Sequence, residues 1–329
     1  MKDKTLKIME LIDQEKTCNE ICQELNITNK LLFHYLTLLQ NKGKYYKRKY
    51  YSDGEIIYNS INSVTELTKF LVQKNTTIIT SPKETELKTL VISDLHLGNK
   101  LERLDLLEKA YNYCSNNNIH IIFCCGDIID GSFSQEEQTI TNIDEQLEYL
   151  KKYFPTDSNI LAFAVGGDHD YSSLLNAGQD MVTMLKNYRH DIIMNNYNNA
   201  FIEIKNDKLQ LYHKNNGGSL IKTCAPIVFH GHYHQYKTSQ EKDGTIHVTV
   251  PSLSNINQKM PSAIQSTFKF NKGYIDDIYL NQIYFGEHEN VTLSEVQYHN
   301  ILATTKLKQF LYAKINNEEE RIKEKQLIR

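Results

Sequence analysis

Five strand-like stretches of the sequence end in aspartate or histidine, residue types that bind divalent metals. In α/β sheets, ligands gather beyond the carboxyl ends of strands, so these ends predict one shared site. Mixed carboxylate and imidazole donors suit Mn²⁺, Fe or Zn²⁺ better than Ca²⁺. The ends are Asp94-Leu95-His96, Gly126-Asp127-Ile128-Ile129-Asp130, Gly167-Asp168-His169-Asp170, His213 and His230-Gly231-His232-Tyr233-His234.

The elements that would position these residues begin near Lys88. From that point buried strand-like runs alternate with helical stretches, which is typical of an α/β domain. We therefore predict one domain over residues 88–290, with the motifs at the ends of its strands.

Taken in order, these motifs resemble those of the calcineurin-like metallophosphoesterases: Asp-x-His, Gly-Asp-x-x-Asp, Gly-Asp-His-Asp, a later His and Gly-His-x-His. The resemblance implies an α/β fold, a four-layer α-β-β-α sandwich with two divalent metals at one end. It implies that Asp127 bridges the metals. The other implied ligands are Asp94, His96 and His234 on one metal, and Asp168, His213 and His232 on the other.

The same resemblance implies a proton donor beside the metals. His169 matches the family histidine that gives a proton or hydrogen bond to the departing oxygen. The neighbouring Asp170 would orient its imidazole, and Asp130 would support a metal ligand from behind.

One position departs from the family pattern, which has asparagine where this sequence has Asp168. With asparagine at this position, the charges of two divalent ions, two carboxylates and a hydroxide sum to a positive value. An ionised Asp168 adds one negative charge and brings that sum to zero. A neutral centre attracts an anionic phosphate less strongly, and an ionised ligand binds the second metal more tightly. Aspartate is itself a competent ligand, so we expect an altered metal preference and rate rather than loss of catalysis.

The first 60 residues have the pattern of three short helices and a hairpin. Thr17-Cys18-Asn19-Glu20 is a capping box, and Asp53-Gly54 is a hairpin turn signal. The order resembles a winged helix-turn-helix, whose third helix enters the major groove of DNA. A basic cluster at 42–49 would contact phosphates, although such a hairpin can also be simply solvated. The DNA-binding residues predicted are Asn29, Lys30, Phe33 and His34 on the third helix and Lys44, Lys47, Arg48 and Lys49 on the hairpin.

Two further helices are predicted outside these domains. Ser63-Val64-Thr65-Glu66 is a capping box, and a linker would follow it, so residues 61–87 are predicted as helix and linker. Thr292-Leu293-Ser294-Glu295 is another capping box and predicts an amphipathic helix over residues 291–329. This helix would join two copies in a homodimer or pack back on its own domain.

The composition excludes several other classes of protein. The chain has 37 Lys+Arg against 40 Asp+Glu, which argues against coating of nucleic acid by its whole surface. Its 40% apolar and 23% charged residues exclude global disorder. We find no apolar run near the roughly 18–20 residues that span a bilayer and no signal-peptide core, so a cytoplasmic protein without membrane contact is expected.

These patterns favour a metal-dependent phosphoesterase. Phosphodiesters are the favoured substrates, and DNA is a candidate because of the N-terminal segment. A small monoester stays open because basic runs near the metal ligands are lacking. The alternative is a DNA-binding regulator whose phosphoesterase-like domain senses a nucleotide or phosphate. A third interpretation is an interaction protein assembled into oligomers by its terminal segments.

Overall fold

The computed structural model describes residues 2–61, 76–80, 85–133, 135–214, 225–258 and 260–301. Its α-helices are α1 Lys2–Asp13, α2 Cys18–Leu25, α3 Asn29–Gln40, α4 Leu104–Asn116, α5 Ile143–Tyr153, α6 Asp168–Ala177 and α7 Met181–Tyr188. The strands of the N-terminal half are β1 Tyr46–Tyr51, β2 Ile56–Ser60, β3 Thr76–Thr80, β4 Glu86–Ile92, β5 Ile121–Cys125 and β6 Leu161–Val165. They are followed by β7 Ile192–Met194, β8 Asn199–Ile204, β9 Asp207–Tyr212, β10 Ile227–His230, β11 Lys237–Gln240, β12 Ile246–Thr249, β13 Ala263–Asn271, β14 Tyr274–Phe285 and β15 Asn290–Tyr298.

The strands form two mixed sheets. One has eight strands in the order β11-β12-β10-β9-β8-β3-β1-β2, and the other has seven in the order β15-β14-β13-β4-β5-β6-β7. Strands β4, β5 and β6 are parallel neighbours in the second sheet, and β9 and β10 are parallel neighbours in the first. The α/β class with two sheets and flanking helices is confirmed.

Central strands are apolar on both faces because both faces are covered. Strand β5, Ile-Ile-Phe-Cys-Cys, is buried at every residue. Its Phe123 packs between the sheets, with ring centroids 6.5 Å from Phe163 and 6.3 Å from Phe229 of the opposite sheet. Ile122 and Cys124 point the other way and pack with α4 and α5. This double burial holds the carboxyl ends of β4, β5 and β6 at fixed positions along one edge.

The N-terminal segment has the predicted order of three helices and a hairpin. Thr17 caps α2 in the predicted capping box with Glu20. Strands β1 and β2 pair as an antiparallel hairpin around the predicted turn. The assignment of this segment as a winged helix-turn-helix stays a prediction.

The N-terminal hairpin is continuous with the eight-stranded sheet. Strand β1 pairs in parallel with β3, and β3 pairs in parallel with β8. The ring centroid of Tyr50 on β1 lies 5.6 Å from that of Phe163 in the opposite sheet. The predicted module therefore shares its core with the domain that follows it.

Helix α3 is also held by packing, through a contact with His190, which follows the end of α7. The buried Phe33 stacks on His190 with ring centroids 4.7 Å apart. The Tyr58 hydroxyl lies 2.9 Å from His190 Nδ1. Burial, aided by the charge of Arg48, holds the pKa of His190 well below its ordinary value, so the ring is neutral. Phe33 was predicted to contact DNA; this is wrong, because its ring is part of the core.

Two predicted elements differ from the structure. Residues 76–80, predicted as linker, form β3, because the segment completes the sheet between β1 and β8. Residues 291–298, predicted within the C-terminal helix, belong to β15, because that strand pairs antiparallel with residues 278–285 of β14. The helix predicted from Ser63 and the rest of the C-terminal helix, including its proposed dimer contact, lie outside the described residues. Within the described ranges we find no helix long and apolar enough to cross a membrane.

Removing the Phe33 ring will measure how strongly α3 is attached. We expect Phe33→Ala to lower the free energy of unfolding by about 3–5 kcal/mol, since it leaves a cavity in the core. The adjacent His34 side chain is exposed, so His34→Ala is the matched control. This variant should change the free energy of unfolding by less than about 0.5 kcal/mol. Urea unfolding followed by circular dichroism compares the two. Equal stability of both variants would contradict the packing described.

Candidate metal centre

The ligands predicted from the sequence lie at the carboxyl ends of five strands that meet at one edge. Strand β4 leads to Asp94 and His96, β5 to Asp127 and β6 to Asp168. From the other sheet, β9 leads to His213, and β10 leads to His232 and His234.

The first group of donors consists of Asp127, Asp168, His213 and His232, whose ligand atoms lie within 4.8 Å of one another. His213 Nε2 lies 3.1 Å from Asp127 Oδ2 and 3.3 Å from Asp168 Oδ1. His232 Nδ1 lies 3.4 Å from the same Asp168 oxygen. Two carboxylates and two imidazoles therefore converge on a volume the size of one ion.

The second group consists of Asp94, His96 and His234, again with ligand atoms within 4.8 Å. His234 Nε2 lies 3.2 Å from Asp94 Oδ1. Asp127 lies between the two groups, because its Oδ2 is also 3.9 Å from His96 Nε2. The geometry thus brings all seven predicted ligands together and gives Asp127 the position of a bridge.

Unpaired buried atoms indicate that these groups fit metal ions. His96 Nε2, His213 Nε2 and Asp168 Oδ1 are buried without a hydrogen-bond partner among the described residues. His213 Nδ1 lies 2.6 Å from the Cys125 carbonyl, so that nitrogen carries a proton and Nε2 faces the carboxylate oxygens. A bare lone pair on Nε2 would repel those oxygens, so the arrangement calls for a positive charge there, either a proton on the imidazole or a metal ion.

The charges of the group attract a cation. Burial opposes ionisation of Asp127, but His213 and His96 hold the pKa of that carboxyl below its ordinary range. Burial also disfavours a charged His213, but Asp127 and Asp168 raise the pKa of His213 well above its usual value. Without a metal, protons on the histidines balance the carboxylates. Metal binding would therefore release protons from this centre.

The backbone at these strand ends is strained. A positive φ is uncommon outside glycine and clusters at functional sites. At these strand ends the positive φ is stabilised by backbone hydrogen bonds. For example, the N–H of Asp94 donates to the Gly126 carbonyl at 2.9 Å. At Gly167 any Cβ would collide with the Asp127 carboxylate, so this position requires glycine. Five of the predicted ligands have positive φ: Asp94 at 54°, His96 at 48°, Asp127 at 52°, His232 at 79° and His234 at 52°.

His169, the predicted proton donor, lies beside the second group. Its Nδ1 is 2.7 Å from the backbone carbonyl of Asp130, so this nitrogen donates and Nε2 remains for other partners. Its ring lies edge-on to His96 with centroids 4.4 Å apart. Its side chain is 23% exposed, so it borders the accessible side of the centre.

Asp170 does not have the predicted role of orienting His169. Its carboxylate accepts hydrogen bonds from the backbone N–H groups of Ile128, Ile129 and Gly167 at 2.9–3.1 Å. Burial and the charge of Asp127 raise its pKa to about 7. The side chain points into the protein because it caps the turn after β5, and it thereby joins that turn to α6.

Asp130 lies behind His96, with its Oδ1 3.2 Å from His96 Nδ1. Asn99 and Gln138 donate to the same carboxylate at 3.1 and 2.9 Å. Neither was predicted from the sequence, since a lone amide residue in a loop carries no spacing signal. Phe133, whose ring stacks on His169 with centroids 4.1 Å apart, was also missed.

The residues predicted to bind DNA do not form one surface. Arg48 is turned inward and donates to the Lys186 carbonyl at 2.8 Å, so it is not free for phosphate. Asn29 accepts from the Cys22 thiol and, with Lys30, lines a groove of about 750 Å³ against residues 152–159. The exposed members of the predicted set are Lys30, His34, Lys44, Lys47 and Lys49.

Comparison with known proteins agrees with the site. The sequence profile of the calcineurin-like phosphoesterase superfamily domain matches residues 87–267, more than half of the chain, and the protein belongs to that superfamily. A search of curated protein sequences found no match.

Solved structures found by comparison share little sequence with this chain. A phosphoesterase from E. coli, Yfce, is 14% identical and covers 64% of this chain and 98% of its own, with a TM-score of 0.39. A dimetal phosphatase from Danio rerio is 10% identical over 65% of this chain and 98% of its own, also at 0.39. The Pseudomonas putida nuclease MPE is 14% identical over 62% of this chain and 87% of its own, at 0.35.

Replacing the unusual aspartate tests the ligand assignment. We expect Asp168→Asn to retain two metals and measurable activity, because an amide oxygen can still coordinate. Its affinity for the second metal should fall by about tenfold as one anionic donor is lost. Asp168→Ala removes the donor altogether and serves as the contrasting variant, with one metal expected. Metal content by mass spectrometry, with Mn²⁺ titration, gives both values. Complete loss of the second metal from Asp168→Asn would contradict this account.

Proposed function

We propose that the chain is a dinuclear-metal phosphodiesterase, with Mn²⁺ as the preferred ion and Fe or Zn²⁺ as other occupants. The observation that carries the proposal is the position of Asp127, between two groups that each offer at least three donors. When bound, two such ions supply an activated nucleophile and offset negative charge on a phosphate in in-line displacement.

The protein's own contribution is to hold the donors and to move a proton. His169 has one ring nitrogen fixed by the Asp130 carbonyl, which leaves Nε2 to donate to the departing oxygen. Its backbone N–H donates to Asp127 Oδ1 at 3.1 Å, so the proton donor and the bridging carboxylate are positioned together. In the metal-free protein Asp127 and Asp130 raise the pKa of His169 despite its burial.

The charge of the centre supports diesters over monoesters. Three aspartates, Asp94, Asp127 and Asp168, contribute to the donor groups, and the pKa of Asp168 is lowered by His213 and His232 despite its burial. Two divalent ions beside three carboxylates and a hydroxide would leave no net charge, where the family's asparagine would leave a positive one. A singly charged diester loses less attraction than a doubly charged monoester when that charge is reduced.

Removal of the His169 imidazole tests the proposed proton transfer. For the wild type we expect Mn²⁺-dependent hydrolysis of bis-p-nitrophenyl phosphate. His169→Ala should lower kcat by about 10²–10⁴-fold for an alkyl ester, whose leaving oxygen needs a proton. The loss should be much smaller for the nitrophenyl ester, because nitrophenolate is stable unprotonated.

Metal content must be measured on the same samples, since an unchanged stoichiometry separates proton transfer from metal loss. Equal losses on both esters would contradict the role of His169. Absence of turnover of any ester by the wild type with both metals bound would overturn the enzyme proposal. The regulator alternative would then gain support if nucleotide-dependent DNA binding survived in Asp127→Asn.

We propose further that DNA is contacted by the hairpin rather than by the core face of α3. Lys47 and Lys49 are exposed and lie on the same face of β1, while Arg48 between them faces inward. A pair of free lysines on one strand face matches contact with phosphates. This contact would favour a nuclease among the diesterases.

Salt dependence tests the hairpin contact. The double variant Lys47→Ala/Lys49→Ala should weaken duplex DNA binding and lower the slope of log K against log salt by about two. The matched control is Lys237→Ala/Lys242→Ala, exposed lysines at the other end of the same sheet. Fluorescence anisotropy at several salt concentrations measures both. An identical slope in the two double variants would refute the hairpin contact.

A further inference from the structure

Two large aromatic side chains border the metal centre and remain exposed to solvent. Phe133 is 47% exposed and Tyr233 is 44% exposed. Phe133 stacks on His169 with an interplanar angle of 22°, and Tyr233 lies edge-on to His232 with ring centroids 5.5 Å apart. Each therefore contacts one of the two most accessible imidazoles of the centre, of which His232 has a side chain 35% exposed.

The segment that carries Phe133 is anchored to two helices. The N–H of Gly131 donates to the Gln146 side chain on α5 at 2.8 Å. The N–H of Ser132 donates to the Ser172 hydroxyl on α6 at 2.7 Å. Two consecutive backbone groups are thus bonded immediately before Phe133 and hold the main chain there, while the ring itself rests on His169. One face of that ring covers the proton donor, and nearly half of the side chain remains open.

The position of this ring relates it to one part of a substrate. In the proposed reaction His169 donates to the departing oxygen, so the group attached to that oxygen lies next to Phe133. Aromatic rings gain about 1 kcal/mol from stacking beyond the area they bury, and nucleobases stack on exposed protein aromatics in the same way.

We infer that Phe133 determines specificity by stacking on an aromatic ring carried by the departing group, with Tyr233 as a second aromatic contact at the same mouth. The substrate class is a phosphodiester whose departing alcohol carries a flat ring, such as a nucleoside or an aryl alcohol. This inference rests on the proposed phosphodiesterase function. It adds to that function the part of the substrate that the protein recognises, which is the departing alcohol.

The test uses ligands that differ only in aromaticity. Benzylphosphonate and cyclohexylmethylphosphonate have similar size and charge and are not hydrolysed. With the full-length Mn²⁺-loaded protein, calorimetry should give about fivefold tighter binding of the benzyl compound. Benzyl methyl phosphate should likewise exceed cyclohexylmethyl methyl phosphate in kcat/KM by a similar factor. Because the phosphonates need no turnover, a failed reaction and a failed stacking contact remain distinguishable.

Variants assign the effect to Phe133. Phe133→Leu should reduce the benzyl preference to about one, while Phe133→Tyr should retain it. Tyr153→Leu, which removes an aromatic ring of similar exposure on α5, should leave the preference unchanged. A second pair of substrates is dithymidine phosphate and its analogue that lacks the base on the departing nucleoside. A higher kcat/KM for the compound with the base would show that the departing ring can be a nucleobase as well as a simple aryl group. Equal binding of both phosphonates by the wild type, or an equal loss of both in Phe133→Leu, would overturn the inference.

Discussion

The metal centre depends on three aspartates whose carboxylates converge at the ends of buried strands. Asp94 and Asp127 are almost fully buried, and Asp168 is only 14% exposed at its side chain. Burying like charges together is unfavourable unless cations or protonated partners lie between them. The imidazoles from the opposite sheet, whose ring nitrogens face those oxygens, make the group suitable for metals. Folding and metal binding are consequently linked at this edge.

Hydrogen bonds between the two sheets hold this edge together before any ion enters. The N–H of His232 donates to the Asp94 carboxylate at 3.1 Å, and the His213 ring is bonded to the Cys125 carbonyl. Each bond joins a loop of one sheet to a strand end of the other. The left-handed backbone at the ligands is tolerated because these bonds over-determine it. Rigid donors lose little entropy on binding an ion, which is what a precisely positioned centre requires.

The sequence predicted the site better than it predicted the outer elements. The ligands were found because several strand ends with the same residue types point to one place, whatever the exact strand boundaries. Local sequence patterns predicted the wrong element where hydrogen bonding to a neighbouring strand decides the structure. Thr292 to Glu295 fits a capping box, yet the segment is a strand because β14 offers it a continuous partner. The role of Asp170 could not be predicted either, since nothing in its spacing says that three backbone N–H groups surround it.

Strand directions determine where the N-terminal hairpin lies relative to the metal centre. Strand β8 is antiparallel to β9, and β3 and β1 follow the direction of β8. The amino end of β1 therefore points toward the metal edge, while the hairpin turn lies near Asn159 at the amino end of β6. The groove lined by Asn29 and Lys30 is at that far edge too. A strand of six residues spans about 20 Å, so a duplex that reached both would run along β1 for about six base pairs. Lys44, Lys47 and Lys49 are exposed along that line, so in the proposed DNA complex the hairpin, rather than the end of α3, would face the part of the duplex nearest the metal edge.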